Sequence, residues 1–260
     1  MSGRDTAYLM FHEIEVPGRP VNQTPGYLRY VVTSDQFSIQ LKCLVESNVR
    51  GVNVSQALSG EAAQDNSVVI TFDDGCETDL LVAAPLLQEF GFFATSYVVV
   101  DYLDREGYLS TAQLRELNQT GQVEIGSHSM SHKYLRHLSN AELSQEIVES
   151  KDRLEQMLGI KVRHFSCPGG RWDARVQTIA KDAGYESVAT SEVGLNNASS
   201  NPYRLKRLAI YRTTSAESFS MFINGRGLTS LKIRNAVLDG AKNLLGDKGY
   251  DRVRSLVLTR

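Results

Sequence analysis

Val68-Val69-Ile70-Thr71-Phe72-Asp73-Asp74-Gly75 is a run of apolar and β-branched residues that stops on two carboxylates and a glycine. A run of this kind reads as a strand buried on both faces whose C-terminal tip presents polar groups. Working outward, the same form recurs. Val123-Glu124-Ile125-Gly126 leads into Ser127-His128-Ser129-Met130-Ser131-His132, and His164-Phe165-Ser166 leads into Cys167-Pro168-Gly169-Gly170. Tyr8 to Phe11, Phe92 to Val100, Ser187 to Thr190 and Leu208 to Arg212 read as further strands.

Helical patterns alternate with these strands. Asp35 to Glu46 carries Phe37, Leu41, Leu44 and Val45 at helical spacing, with Ser34 or Asp35 as its cap. Leu80 to Phe90 closes at Gly91, and Thr111 to Asn118 is followed by Gly121. Residues 140–158 start from a Ser139/Glu142 capping box, carry an apolar stripe of Leu143, Ile147, Leu154 and Leu158, and end at Gly159. Ala174 to Ala183 stops at Gly184. Residues 13–30, with three prolines, and 60–66 read as loops. Alternation of this kind means parallel βαβ units, and in a parallel barrel the strand tips share the face on which active sites are built. All three polar clusters follow strands directly, so the chemistry is expected on that face.

Length and composition agree with one α/β barrel. The 260 residues are 42% apolar, enough for a large core. With 28 basic and 30 acidic residues the formal net charge is −2, which argues against a nucleic-acid binder. Three irregularly spaced cysteines, Cys43, Cys76 and Cys167, form no disulfide framework and suit a reducing compartment. No apolar run is long enough for a transmembrane helix or a signal peptide, so a cytoplasmic location is expected.

Adjacent carboxylates at a strand end point in different directions, so one of Asp73 and Asp74 suits a cation and the other a proton. Asp-Gly is also an ordinary turn pair. His128 and His132, two of only five histidines, stand four residues apart, a spacing that brings two imidazoles to one side of a helical turn. One Asp and two His make three ligands with a fourth position open, the layout of a catalytic metal site.

Thr71-Phe72-Asp73-Asp74-Gly75 followed by His128-Ser129-Met130-Ser131-His132 resembles the first two signature motifs of the polysaccharide deacetylases, the NodB-homology or family 4 carbohydrate esterases. Ser166-Cys167-Pro168-Gly169-Gly170 resembles a variant of the third motif, usually Arg-x-Pro-aromatic-Gly. Leu9-Met10-Phe11-His12 is similar to the Leu-Met-Tyr-His opening of one branch, as are the stretches from Tyr30 to Val54 and from Leu244 to Leu258. The resemblance implies a distorted (β/α)7 barrel spanning about residues 7–213, with a helical extension over about 214–260. It implies metal-dependent removal of an acetyl group from an N-acetylated sugar. Asp74, His128 and His132 then hold one divalent ion, with zinc the first choice and cobalt, nickel, manganese or iron also compatible. Asp73 is the general base, and the metal with a backbone N–H, that of Gly169 first, stabilises the oxyanion.

The departures from the family pattern carry their own expectations. Ser166 stands where an Arg usually orients the base, and Gly169 replaces the usual aromatic wall. Trp172 either supplies that wall or is ordinary core. Arg171 either orients Asp73, grips a phosphate or is a solvated charge. Pro168, Gly169, Arg171 and Trp172 are the expected substrate-side residues. The family's Leu-x-His motif is absent, since no histidine follows His164, and the resemblance to the branch with the Leu-Met-Tyr-His opening implies that His12 takes the general-acid role. His164 is its competitor, though at the wrong end of its strand, and His137 is expected to be exposed. Cys76 and Cys167 are expected to be small buried residues more than ligands or nucleophiles. A cytoplasmic address favours a nucleotide- or lipid-linked intermediate of surface-polysaccharide assembly as substrate. The alternatives are a deformylase or other amidase, and a carbohydrate-binding protein of the same fold without turnover.

Overall fold

A computed structural model of the protein describes residues 5–16, 25–60, 66–229 and 231–232. Its ten strands are β1 (Tyr8–Phe11), β2 (Ile14–Glu15), β3 (Val32–Thr33), β4 (Arg50–Val52), β5 (Ser67–Asp74), β6 (Ala94–Val98), β7 (Val123–Ser127), β8 (His164–Ser166), β9 (Ser187–Ala189) and β10 (Leu208–Ala209). Seven of them run in the order β10-β1-β5-β6-β7-β8-β9, every neighbouring pair parallel, and β4 pairs with the lower part of β5. A single parallel bridge from Ala189 to Leu205 closes the ring between β9 and the chain entering β10. This is the distorted (β/α)7 barrel. All eight residues of β5 are buried, as a parallel strand covered on both faces requires.

Register brings the chemistry to one rim. Phe11 pairs with Phe72, so His12 lies level with Asp73. Asp73 and Asp74 pair with Tyr97 and Val98, and Val98 pairs with Ser127, directly before His128. Met10 pairs with Ala209, which brings Tyr211 level with His12.

Helices cover the outside. Ser34–Glu46 buries Phe37, Leu41 and Leu44, but its cap is Thr33, not Ser34 or Asp35: Thr33 keeps extended dihedrals and its Oγ1 accepts from the Gln36 N–H at 3.1 Å. A π-turn over Asp79–Ala83 continues into Ala84–Phe90, which ends at Gly91 in the left-handed conformation glycine adopts without penalty. Thr111–Gln119 and Ala174–Asp182 agree with their sequence patterns. The long helix starts on the predicted Ser139 capping box, passes through a π-turn at Gln145–Glu149 and ends before Gly159.

Three sequence expectations need correction. Residues 13–30 are not all loop: β2 and β3 pair in parallel because Ile14 and Val32 are both core residues, and Pro25–Leu28 forms one helical turn. The strand expected over Phe92 to Val100 is shorter, and β4 with the helix Val54–Leu58 was not foreseen. The expected C-terminal helices are represented by Ala216–Ile223, which packs on Ser34–Glu46 through a face of Phe219, Phe222 and Ile223. The remaining tail patterns, including Leu244 to Leu258, and the loop at residues 61–65 lie outside the described residues. No described helix is long and apolar enough to cross a membrane.

The opposite rim is plugged. The Ser55 hydroxyl donates to Glu124, Thr95 Oγ1 donates to the same carboxylate at 3.0 Å, and His164 Nε2 meets Ser55 Oγ at 2.8 Å. His164 is therefore part of a buried network at the far end of the barrel and does not compete for the general-acid role.

Candidate active site

Asp74, His128 and His132 converge at the C-terminal rim. His128 Nε2 lies 3.6 Å and His132 Nε2 3.4 Å from Asp74 Oδ1, and all three ligand atoms lie within 4.8 Å of one another. The two histidines do not share a helical turn. They sit in an irregular loop after β7, where Ser129 and His132 have φ of 73° and 61°. Asp74 has φ 82°. Left-handed backbone costs non-glycine residues about 1–2 kcal/mol each, and three such residues at one site mark geometry imposed by its surroundings.

Glu146 supplies part of that constraint. Its carboxylate accepts from the Ser131 N–H at 2.8 Å and from the Ser131 hydroxyl, and its carbonyl accepts from the Met130 N–H at 3.2 Å. His128 Nδ1 donates to the Ser166 carbonyl at 2.8 Å. A carbonyl can only accept, so the proton is on Nδ1 and the Nε2 lone pair faces Asp74, the orientation a metal-binding imidazole needs.

Electrostatics favour a cation. Burial pushes the His128 pKa down to about 3, and burial lowers His132 as well, so both rings are neutral at pH 7. Burial, with Asp73 adding repulsion, pushes the Asp74 carboxyl up to about 6. Asp74 Oδ1 is buried and receives no hydrogen bond. A buried carboxylate oxygen facing a histidine lone pair without a donor is costly. A divalent ion accepting from all three groups removes that cost, so the residues fit a three-ligand metal site.

Asp73 Oδ2 also lies 3.9 Å from His128 Nε2, but this carboxylate is held differently. Arg207, fully buried, donates from Nη1 to Oδ1 at 2.7 Å and from Nη2 to Oδ2 at 2.8 Å. Its Nη2 also donates to Ser166 Oγ at 2.9 Å and its Nε to the Thr190 carbonyl at 2.8 Å. Burial alone would raise the Asp73 pKa, but the Arg207 charge, then His128, hold it well below the usual carboxylate range. The cation that clamps Asp73 is thus Arg207, not Arg171. Ser166 fits because a shorter side chain leaves room for a guanidinium entering from the β10 side.

The remaining expected residues are placed as follows. His12 is half-buried, packs on Tyr30 with ring centroids 4.5 Å apart, and is within electrostatic reach of both aspartates. Its Nδ1 has no hydrogen-bond partner, and burial lowers its pKa. Pro168 is buried, and Gly169 (φ 59°) lies under Tyr134: a Cβ there would meet the ring at 2.7 Å. Tyr134 thus fills the space beside the third motif, and Arg171 stacks over it at 4.6 Å. Trp172 packs against the core with Arg204 4.8 Å over its ring. His137 is exposed. Burial pushes both the Cys76 and Cys167 thiols upward, so neither is poised as a thiolate.

The sequence profile described as Polysaccharide deacetylase matches residues 60–188, which contain both aspartates, both histidines and the Ser166–Gly170 turn. The chain belongs to the polysaccharide deacetylase family. Its named relatives are N-deacetylases, hydrolases of N-acetyl amide bonds. It is 32% identical to a peptidoglycan-N-acetylglucosamine deacetylase of Bacillus cereus over 125 residues, 48% of this chain and 56% of that one. A solved polysaccharide deacetylase from Bacillus cereus superposes with a TM-score of 0.74 at 27% identity, covering 85% of this chain and 69% of that one. The Streptococcus pyogenes deacetylase PplD, solved with acetate, shares the fold with a TM-score of 0.75 at 24% identity, covering 85% and 99%.

At this site sequence reasoning missed Arg207, Glu146 and Tyr134. Arg207 carried no decisive sequence signal; the burial of Leu205 and Arg207 on either side of the half-buried Lys206 is seen only in the structure.

Proposed function

We propose that the chain is a metal-dependent N-deacetylase of an N-acetylated sugar or sugar conjugate. One observation carries this reading: a buried carboxylate clamped by Arg207 stands beside an Asp–His–His set with a buried, undonated ligand oxygen. Asp74, His128 and His132 would hold the ion, with zinc the first choice for one carboxylate and two imidazoles. When bound, a divalent ion supplies Lewis-acid chemistry, polarising the amide carbonyl and acidifying water.

The protein's own groups do the rest. Asp73 stays ionised through the neutral range and takes a proton at a carboxylate oxygen. Arg207 fixes the plane of that carboxylate through both oxygens. Gly170 and Arg171 give their N–H groups to the Cys167 and Pro168 carbonyls, whereas among the described residues no group accepts from the Gly169 N–H, which suits it to an oxyanion. Desolvation of its ring lowers the His12 pKa and keeps it neutral at rest, so it must gain a proton before it protonates the leaving amine.

The test is acetate release from N-acetylglucosamine oligomers, nucleotide- and lipid-linked N-acetyl sugars and intact peptidoglycan, using protein stripped of metal and reloaded with single divalent ions. Asp73→Asn is expected to keep bound metal and abolish release. Release of formate from N-formyl sugars without acetate would favour a deformylase. Absence of turnover in every metal-loaded form would overturn the enzymatic reading for this chain.

A further inference from the structure

The arginines around the catalytic rim are mostly answered by acids. Arg207 pairs with Asp73, Arg204 with Glu192 at 2.9 Å, Arg212 with Glu15, and Arg175 with Asp173 at 2.8 Å. Arg29 differs. Among the described residues no carboxylate pairs with it, and its buried Nη1 donates no hydrogen bond. Its guanidinium is held between two rings, 4.8 Å from the Tyr30 centroid and 4.6 Å from that of Tyr211.

The position is built. The Arg29 carbonyl accepts from the Arg212 N–H at 2.9 Å, which ties the turn to the end of β10. Tyr30 packs on Tyr211 at 5.3 Å and on His12 at 4.5 Å. One aromatic ring therefore separates Arg29 from a residue level with Asp73. Two tyrosine faces stabilise a cation, but they do not supply a counter-charge. A partly buried cation with no acid is expensive unless something else brings the negative charge. A guanidinium pre-ordered as a flat fork suits a carboxylate or phosphate bound through two oxygens.

We propose that Arg29 binds an anionic substituent of the substrate, so that the sugar attacked carries or adjoins a carboxylate or phosphate. The proposal rests on the N-deacetylase reading for its substrate, but its test reads charge discrimination separately. Matched N-acetylated oligosaccharides are compared in three forms: neutral, carboxylate-bearing through a uronate neighbour, and phosphate-bearing. Wild type is expected to favour one anionic form by about ten-fold or more in kcat/KM, through KM, with the preference shrinking as salt is raised. The favoured form identifies the substituent. Arg29→Gln is expected to bring the anionic-to-neutral ratio close to one, and Arg29→Lys, which keeps the charge but not the fork, to leave an intermediate ratio.

Equal kcat/KM for neutral and anionic forms in wild type overturns the proposal. So does an Arg29→Gln that lowers both equally while its circular dichroism and Tm match wild type. Should that variant fold poorly, the Lys variant and the wild-type salt dependence decide. Should wild type release no acetate from any form, the N-deacetylase reading fails and calorimetric titration of the same oligosaccharides decides this one. Tighter binding of an anionic form, lost in Arg29→Gln, upholds Arg29, and equal binding overturns it.

Discussion

Replacing Arg207 by Met is the most searching perturbation of this site. Arg207 is fully buried, and the Asp73 side chain is only 4% exposed. The change removes two charge-assisted hydrogen bonds to Asp73 at 2.7 and 2.8 Å and leaves the carboxylate in a site that water scarcely reaches. Breaking a buried pair from one side costs about 3–5 kcal/mol, chiefly the penalty of the orphaned charge. At about 2–4 °C per kcal/mol for a chain of this size, Tm falls by roughly 6–20 °C. Asp73→Asn alone orphans Arg207 instead and costs a similar amount. The double variant carries neither charge, so it is expected to be more stable than either single variant.

Urea unfolding of chelator-treated protein measures all four corners of that cycle without a contribution from metal. The pH dependence has a definite sign. The folded-state pKa of Asp73 is depressed, so its contribution is present above the unfolded carboxylate value near 3.9 and is lost as pH falls through the folded value. In Arg207→Met burial becomes the largest influence on Asp73 and raises its pKa, so acidification protonates the orphan and relieves the variant. The stability gap between wild type and variant therefore narrows from pH 8 to pH 5. Additive single penalties, within about 0.5 kcal/mol, or a gap that widens on acidification would refute the reasoning.

Three further outcomes follow from the same geometry. Saturating zinc is expected to raise the Tm of chelator-treated protein, by about 4 kcal/mol of stability at a thousand times Kd, and His128→Ala should abolish the rise in a thermal melt. His12→Gln is expected to lower kcat by about 10²–10⁴-fold with zinc content unchanged, measured by acetate release and metal analysis; loss of zinc instead would make His12 a structural support of the ligand set. Gly169→Ala meets both a left-handed backbone and the Tyr134 ring, costing about 1–2 kcal/mol from the backbone alone. Adding Tyr134→Ala should recover only the steric part of that loss in urea unfolding.

The convergence of the candidate ligand set was legible in the sequence, and the groups that orient it were not, for a physical reason. Asp73, Asp74, His128 and His132 lie at or directly beyond strand tips. Parallel topology gathers strand tips on one rim, so local pattern sufficed to bring them together. The loop conformation did not follow. Ser129 and His132 adopt left-handed backbone without being Gly or Asn, and the Glu146 contacts that support the loop come from another element. Arg207 depends on something subtler still. In Arg204-Leu205-Lys206-Arg207-Leu208 the cations and leucines alternate so closely that either side-chain parity can be argued, and a slip of one residue would turn Arg207 outward. The bridge from Ala189 to Leu205 and the pairing of Leu9 with Leu208 set the parity. Once Arg207 faces inward, the cost of burying its charge selects Asp73 as its partner, and the serine at position 166 gives it room. The departure at the third motif, which viewed in isolation suggests an impaired site, thus accompanies an arginine that clamps Asp73 from the segment leading into β10.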